Sequence, residues 1–160
     1  MTSTALIPHR FLARVAAHPE AIAFSTLEGE VWRFDAWGRT AHRVAAALIA
    51  DGVSAGDRVA ILAGNTPLWP IMEMGILLAG AVSVGLYPSA AAVQVEEVVQ
   101  DAAAVVLVVG HVAQLATVRQ VRHQLPSVRR VVAGPAVALA DDAMSWESWL
   151  ARGDAVPFAM

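Results

Sequence analysis

The sequence predicts an α/β fold: an N-terminal β-hairpin followed by βαβ units, forming a mostly parallel sheet with helices on both faces. Three observations carry this expectation. Past the hairpin, short apolar runs alternate with helix-length stretches of roughly ten to fifteen residues, the pattern of right-handed βαβ crossovers. One run, Val105 to Val109, is apolar throughout, as in a strand covered on both faces. Leu, Ile, Val and Phe make up 47 of the 160 residues and Val alone 23, enough for a real core with buried strands.

Pro8 to His18 reads as a short amphipathic helix with Phe11, Leu12 and Val15 on one face, ended by His18-Pro19. A hairpin follows, with Ile22 and Phe24 sharing one face of its first strand and Trp32 and Phe34 one face of its second, joined through Glu28-Gly29. Asp35 is the expected N-cap of a helix in which Trp37, Ala41, Val44 and Leu48 recur at helical spacing, ended by Asp51-Gly52. Gly56-Asp57 turns into a strand at Arg58 to Leu62. Thr66-Pro67 starts the next helix, Thr66 as N-cap and Pro67 as first helical residue, and Gly80 takes the left-handed position at its end. A strand is expected at Val82 to Leu86, then a helix from Ser89 to Ala103 with Val93, Val98 and Ala102 inward and Glu96, Glu97 and Gln100 outward. His111 to Leu125 is the next helix, Val128 to Val132 the next strand and Gly134 to Asp142 a loop. Ser145 caps a last short helix carrying Trp146, Trp149 and Leu150, and Ala151 to Met160 reads as a linker. The expected division is an α/β subdomain over residues 1–142, then a short helix and linker over 143–160.

Leu68 to Tyr87 is about long enough to span a bilayer. Glu73, Pro70 and the turn-prone Gly75, Gly80, Ser83 and Gly85 interrupt it, so a buried helix and strand is the expected reading. The N-terminus does not read as a signal peptide, since Arg10 and Arg14 fall where its apolar core would sit. The chain is expected to be cytoplasmic, with no membrane span.

Composition limits the chemistry. All eleven basic residues are Arg, and there is neither Lys nor Cys. That excludes a Schiff-base lysine, a phosphate-loop lysine, a thiolate nucleophile and a cysteine metal site. A net charge of −3 argues against binding nucleic acid through an overall positive field. His9, His18, His42, His111 and His123 show no metal-ligand spacing with a supporting acid. Glu96 and Glu97 are adjacent, so a helix points them roughly 100° apart and they form no facing acid–base pair. Asp141 and Asp142 offer two carboxylates in a loop, too few for a cation site. Gly75, Gly80 and Gly85 match no phosphate loop, and Gly110 reads as a tight strand-to-helix turn. No Gly-x-Ser-x-Gly elbow occurs. Trp32, Trp37, Trp146 and Trp149 read as core or interface residues. No catalytic residue and no metal ligand emerges.

From His18 to Val132 the chain resembles the N-terminal portion of AMP-forming acyl-CoA synthetases, in the adenylate-forming ligase superfamily. The stretches that carry the resemblance occur in order: His18-Pro19-Glu20-Ala21-Ile22-Ala23-Phe24, Trp32 to Trp37, and Asp51 to Ile61 as the sharpest. Asn65, Leu78 to Pro88 and Val93 to Val109 follow. The Gly85-Leu86-Tyr87-Pro88 variant leans to the long-chain fatty acyl branch. The resemblance implies a parent enzyme that uses ATP, Mg and CoA to convert a carboxylic acid to its CoA thioester through an acyl-adenylate. In that family a Lys-ended phosphate loop, acidic motifs and a C-terminal Lys lie downstream, and nothing here matches them. The expectation is a truncated synthetase, inactive and binding no cofactor alone, whose partner is the remainder of the enzyme; a homo-oligomer stays open. Tyr87 and Pro88, at the end of a parallel strand, are the expected substrate-facing residues. Two alternatives remain: a non-catalytic acyl- or CoA-binding or protein-interaction module derived from such an enzyme, and an unrelated small Rossmann-like domain.

Overall fold

Helix α1 (Ile7–Ala17) begins with a proline in its first turn and stops before His18-Pro19, as the sequence requires. The structure is a computed structural model that describes residues 6–137 and 142–156. Phe11 is buried against Ala41 and Met74, with Leu12 and Val15 packed beside it. Strands β1 (Ile22–Ser25) and β2 (Val31–Arg33) form the antiparallel hairpin, and the Phe24 and Trp32 rings stack with centroids 5.9 Å apart. Phe34 departs from expectation: it opens helix α2 (Phe34–Ala50) instead of ending the strand. Its N–H donates to the Ala21 carbonyl and that of Asp35 to the Pro19 carbonyl, so the backbone leaves the hairpin at Arg33. Asp35 therefore lies inside the first turn and does not cap it. Its carboxylate accepts from the Ala36 N–H at 2.6 Å and from Arg39 at 2.7 Å.

The main sheet has the order β4-β3-β5-β6-β7, all parallel. Strands β3 (Arg58–Leu62) and β4 (Val82–Leu86) occupy the expected spans. Strand β5 (Val106–Val109) is wholly buried, and β6 (Arg130–Ala133) starts two residues later than expected. Strand β7 (Met144–Ser145), which the sequence did not announce, pairs with Val132 and Ala133. Alternation along the strands divides the core. Val59, Ile61, Val106, Val108 and Val132 face α2, α3 (Leu68–Leu78) and α6 (Trp146–Gly153). Ala60, Leu62, Leu107, Val109 and Val131 face α4 (Ala92–Ala102) and α5 (Val112–Val121), the latter prolonged by a 3-10 turn at Arg122–Gln124.

The stretch from Leu68 to Tyr87 is a helix and a strand. No helix among the described residues is long and apolar enough to cross a membrane. Gly80 takes the left-handed conformation (φ +75°) and ends α3. Helix α3 starts at Leu68, not at Pro67, and the Thr66 side chain makes no capping hydrogen bond; the Thr66 carbonyl accepts from the Trp69 N–H instead. In α4 the inward face differs from the expected one. Val95 and Val99 are buried, whereas Val93 is 56% and Val98 38% exposed. Two apolar stripes share this helix, and one bond at its start and one to a distant residue choose between them. Gln94 accepts from the Ala91 N–H at 2.9 Å, and Gln100 donates to the Gln124 carbonyl at 2.7 Å, turning the Val95–Val99 stripe to the sheet.

Ser145 caps α6 as expected, its hydroxyl accepting from the Ser148 N–H at 3.2 Å. The helix runs through Ala151 to Gly153, so the expected linker does not begin at Ala151. Gly153 lies against α2, where an added Cβ would stand 2.6 Å from the Ala47 nitrogen. Three distant segments meet at Asp51, whose side chain is only 2% exposed. It accepts from Arg130 at 3.1 and 3.3 Å, from Arg152 at 3.0 Å and from the Trp149 indole at 2.9 Å.

Candidate binding cleft at the C-terminal end of the sheet

In an open parallel sheet, ligands gather where neighbouring strands send their connections to opposite faces. Here that point lies between β3, which leaves through α3, and β5, which leaves through α5. The crevice is filled. A Cβ on Gly110 would stand 2.8 Å from the Ala63 Cβ, and one on Gly134 2.8 Å from the Leu68 Cδ2. The open space lies one strand over, at the ends of β3 and β4.

That cleft has a volume of about 510 Å³ and is lined by Ala63, Asn65, Trp69, Gly85, Leu86, Tyr87 and Pro88. The Trp69 indole donates to the Ala63 carbonyl at 2.9 Å, which fixes the ring. A Cβ at residue 85 would come within 2.8 Å of the Trp69 Cη2, so the missing side chain admits the ring to the strand. Tyr87 is 84% exposed and stands between this cleft and a smaller hollow of about 350 Å³ on the α4 side. Asn65 is shared with a third hollow of about 940 Å³, between the hairpin, Trp37 and the start of α3.

Tyr87 and Pro88 thus sit on the wall of the cleft. Asn65, Trp69 and Gly85 were not singled out as lining residues from the sequence. The Gly85–Trp69 contact joins residues on separate elements and leaves no periodic signal. The other sequence candidates lie elsewhere. His111 caps α5, its Nδ1 accepting from the Ala113 N–H at 3.2 Å. Asp142 pairs with Arg119 at 2.7 Å, and that hydrogen bond holds its carboxyl below the usual range; Asp141 lies outside the described residues. Among the described residues, no group of three His, Asp or Glu is arranged to hold a metal ion.

The cleft offers an indole face, an aliphatic edge, a phenol and an amide, which suits an apolar chain or ring. It does not suit a triphosphate or its metal. No cation lines it, and the nearby start of α5 is occupied by its own side chains. The Gly110 N–H donates to the Leu62 carbonyl and to Gln114, and the Ala113 N–H to His111.

Residues 11–156 match the AMP-binding enzyme family. The long-chain-fatty-acid–CoA ligase FadD15 of Mycobacterium bovis is 34% identical over 117 residues, 71% of this chain and 20% of that protein. The long-chain-fatty-acid–CoA ligase heimdall of Drosophila melanogaster is 35% identical over 118 residues, 72% of this chain and 17% of that protein. The chain thus spans about a fifth of the length of these relatives. In fold it resembles the anthranilate CoA ligase AuaEII, solved with anthranoyl-AMP, at a TM-score of 0.83 and 23% identity, over 90% of this chain and 27% of that one. The chain belongs to the AMP-binding enzyme family and corresponds to the N-terminal region of its acyl-CoA ligases.

Proposed function

We propose that the chain is the N-terminal part of a long-chain acyl-CoA ligase, supplying scaffold and one wall of the acyl or CoA cleft, and that it forms no adenylate alone. The observation that carries this reading is the cleft at the end of β4. Its lining is mostly apolar and holds no Arg, Asp, Glu or His, and Tyr87 and Pro88 stand at its rim. The parent reaction joins a carboxylate to ATP, releasing pyrophosphate, and then passes the acyl group from the adenylate to CoA. ATP and Mg supply the activation and charge neutralisation of the first step, and CoA the thiol of the second. The residues present do not fit the phosphates or the metal, so no step is assigned to them. What they do is hold shape: the Trp69 ring seats against Gly85, and Tyr87 borders the cleft on the α4 side. The chain's partner in this reading is the remainder of the ligase.

The test is ATP–pyrophosphate exchange with a panel of fatty acids. The 160-residue chain should read background, and a clear signal would overturn the reading of an incomplete ligase. Adding the remainder of a long-chain ligase that lacks this region should restore exchange. Failure to restore it with a soluble, correctly folded remainder counts against the chain as its missing wall.

A further inference from the structure

Gln114 is buried to 7% exposure at the start of α5, beneath the ends of three strands. Its Oε1 accepts from the Gly110 N–H at 3.0 Å, after β5, and its Nε2 donates to the Pro88 carbonyl at 3.2 Å, after β4. The same Gly110 N–H donates to the Leu62 carbonyl at the end of β3, at 2.9 Å. One side chain therefore spans β3 and ties its two neighbours together. Burying an amide costs free energy unless both of its ends are bonded. Methionine would fill the volume, so the position uses the one feature methionine lacks, a donor and an acceptor on one planar group.

The donor end is the informative one. Pro88 has no N–H, and only its carbonyl can be held by a hydrogen bond. The proline ring also restricts the backbone of the preceding residue, so holding Pro88 holds Tyr87. From the other side, the Tyr87 carbonyl accepts from the Ala90 N–H at 2.9 Å. We infer that Gln114 is a positioning residue for the ligand cleft: by holding the Pro88 carbonyl against β5 it sets where the Tyr87 ring stands over the cleft. The inference rests on the proposed role of Tyr87 and Pro88 as a cleft wall.

Tyr87 is the only tyrosine of the chain, so ring-labelled tyrosine gives one set of NMR signals that reports this wall alone. The Trp149 indole N–H, bonded to Asp51 on the other face of the sheet, serves as the fold reporter. Gln114→Met should move the Tyr87 ring signals and leave the Trp149 signal in place. Decanoate is the ligand probe. It should shift the Tyr87 signals of the unaltered chain, with a midpoint that rises about two- to tenfold in Gln114→Met, the fold-change of one net hydrogen bond. Gln114→Glu provides the rescue, and decides the matter if the Met variant does not fold. As a carboxylate it cannot donate to Pro88, and once protonated it can. Its Tyr87 signals should be displaced at alkaline pH, where the buried acid ionises, and return towards those of the unaltered chain on acidification.

Tyr87 signals that stay put in a folded variant overturn the positioning role. Displaced signals with an unchanged decanoate midpoint overturn its bearing on the ligand. If decanoate leaves the unaltered chain's Tyr87 untouched, the cleft-wall reading itself fails, whatever Gln114 does, and the inference falls with it.

Discussion

Replacing Asp51 tests a polar contact on which two arginines and an indole converge. Its carboxylate joins the end of α2 to β6 and α6, positions 79 to 101 residues away in sequence. Asp51→Ala leaves the Trp149 indole N–H without an acceptor, and Trp149 is wholly buried. An unpaired buried donor costs about 1–3 kcal/mol. The two guanidiniums also lose their counter-charge. Stranding buried charges costs about 3–5 kcal/mol, but Arg130 and Arg152 are 30% and 40% exposed and can turn to water, so this part falls well short of that range. Together the loss is about 3 kcal/mol. For a chain of this size that lowers Tm by about 6–12 °C.

Asp51→Asn should cost only about 1–2 kcal/mol, because its amide oxygen still accepts from Trp149. Urea unfolding followed by far-UV dichroism and tryptophan fluorescence measures both variants, with an unchanged m-value as the control. Because the carboxylate is shielded from solvent, the deficit should persist in about 1 M salt, where exposed ion pairs are screened away. A loss under about 1 kcal/mol for Asp51→Ala, or equal losses for Ala and Asn, would refute the reasoning.

Gly75→Ala should destabilise by about 2 kcal/mol in the same assay, since its Cβ would stand 2.3 Å from the Val44 Cγ1 and 2.9 Å from the Ala41 carbonyl oxygen, forcing α2 and α3 apart. Gly153→Ala meets backbone at 2.6 and 2.8 Å, and should displace α6 and change the Trp149 fluorescence. Gly85→Val should push Trp69 into the cleft and abolish the decanoate-induced shift of Tyr87 while the chain stays folded. For Asp142→Asn, Arg119 lowers the folded-state pKa of the aspartate, so the stabilisation is present above the usual carboxylate range and is lost as pH falls through the lowered value. The difference in urea midpoint between the unaltered chain and the variant should hold at neutral pH, begin to fall only as the pH drops into the ordinary aspartate range, and vanish beneath the lowered value; a difference that grows on acidification would sink this account.

The parts of the fold legible in the sequence are those with local punctuation. Strands β3 and β4 fall where Gly56-Asp57 and Gly80 mark their entries, and β5 is announced by its unbroken apolar run. Ser145 shows its capping role because its partner is three residues away. What escaped detection depends on partners far along the chain. Asp51 reads locally as a helix end, and only the fold reveals that two arginines and an indole converge on it. The inward face of α4 was missed because valines stand on both possible stripes, and the deciding bond from Gln100 reaches Gln124. In the candidate cleft, Tyr87 and Pro88 were visible as the end of a parallel strand. Trp69 and Gly85 were not, since a ring seated on a glycine of another element has no sequence signature.

The polar groups around the sheet end divide into two kinds, and the division bears on what this region can recognise. Gln114, His111 and the Trp69 N–H are spent on the protein's own backbone, at Pro88, Ala113 and Ala63. Leu68 and Ala63 close the point where a doubly wound sheet would ordinarily accept a nucleotide. The polar side chains that the cleft itself presents are the amide of Asn65 and the phenol of Tyr87. As the proposed acyl or CoA wall, such a lining would discriminate by shape and apolar contact, through the Trp69 ring and Leu86, rather than by charge. Phosphate and carboxylate would have to be held by groups outside the cleft, and a chain whose eleven cations are all arginines, none of them in its lining, brings none of its own to that site.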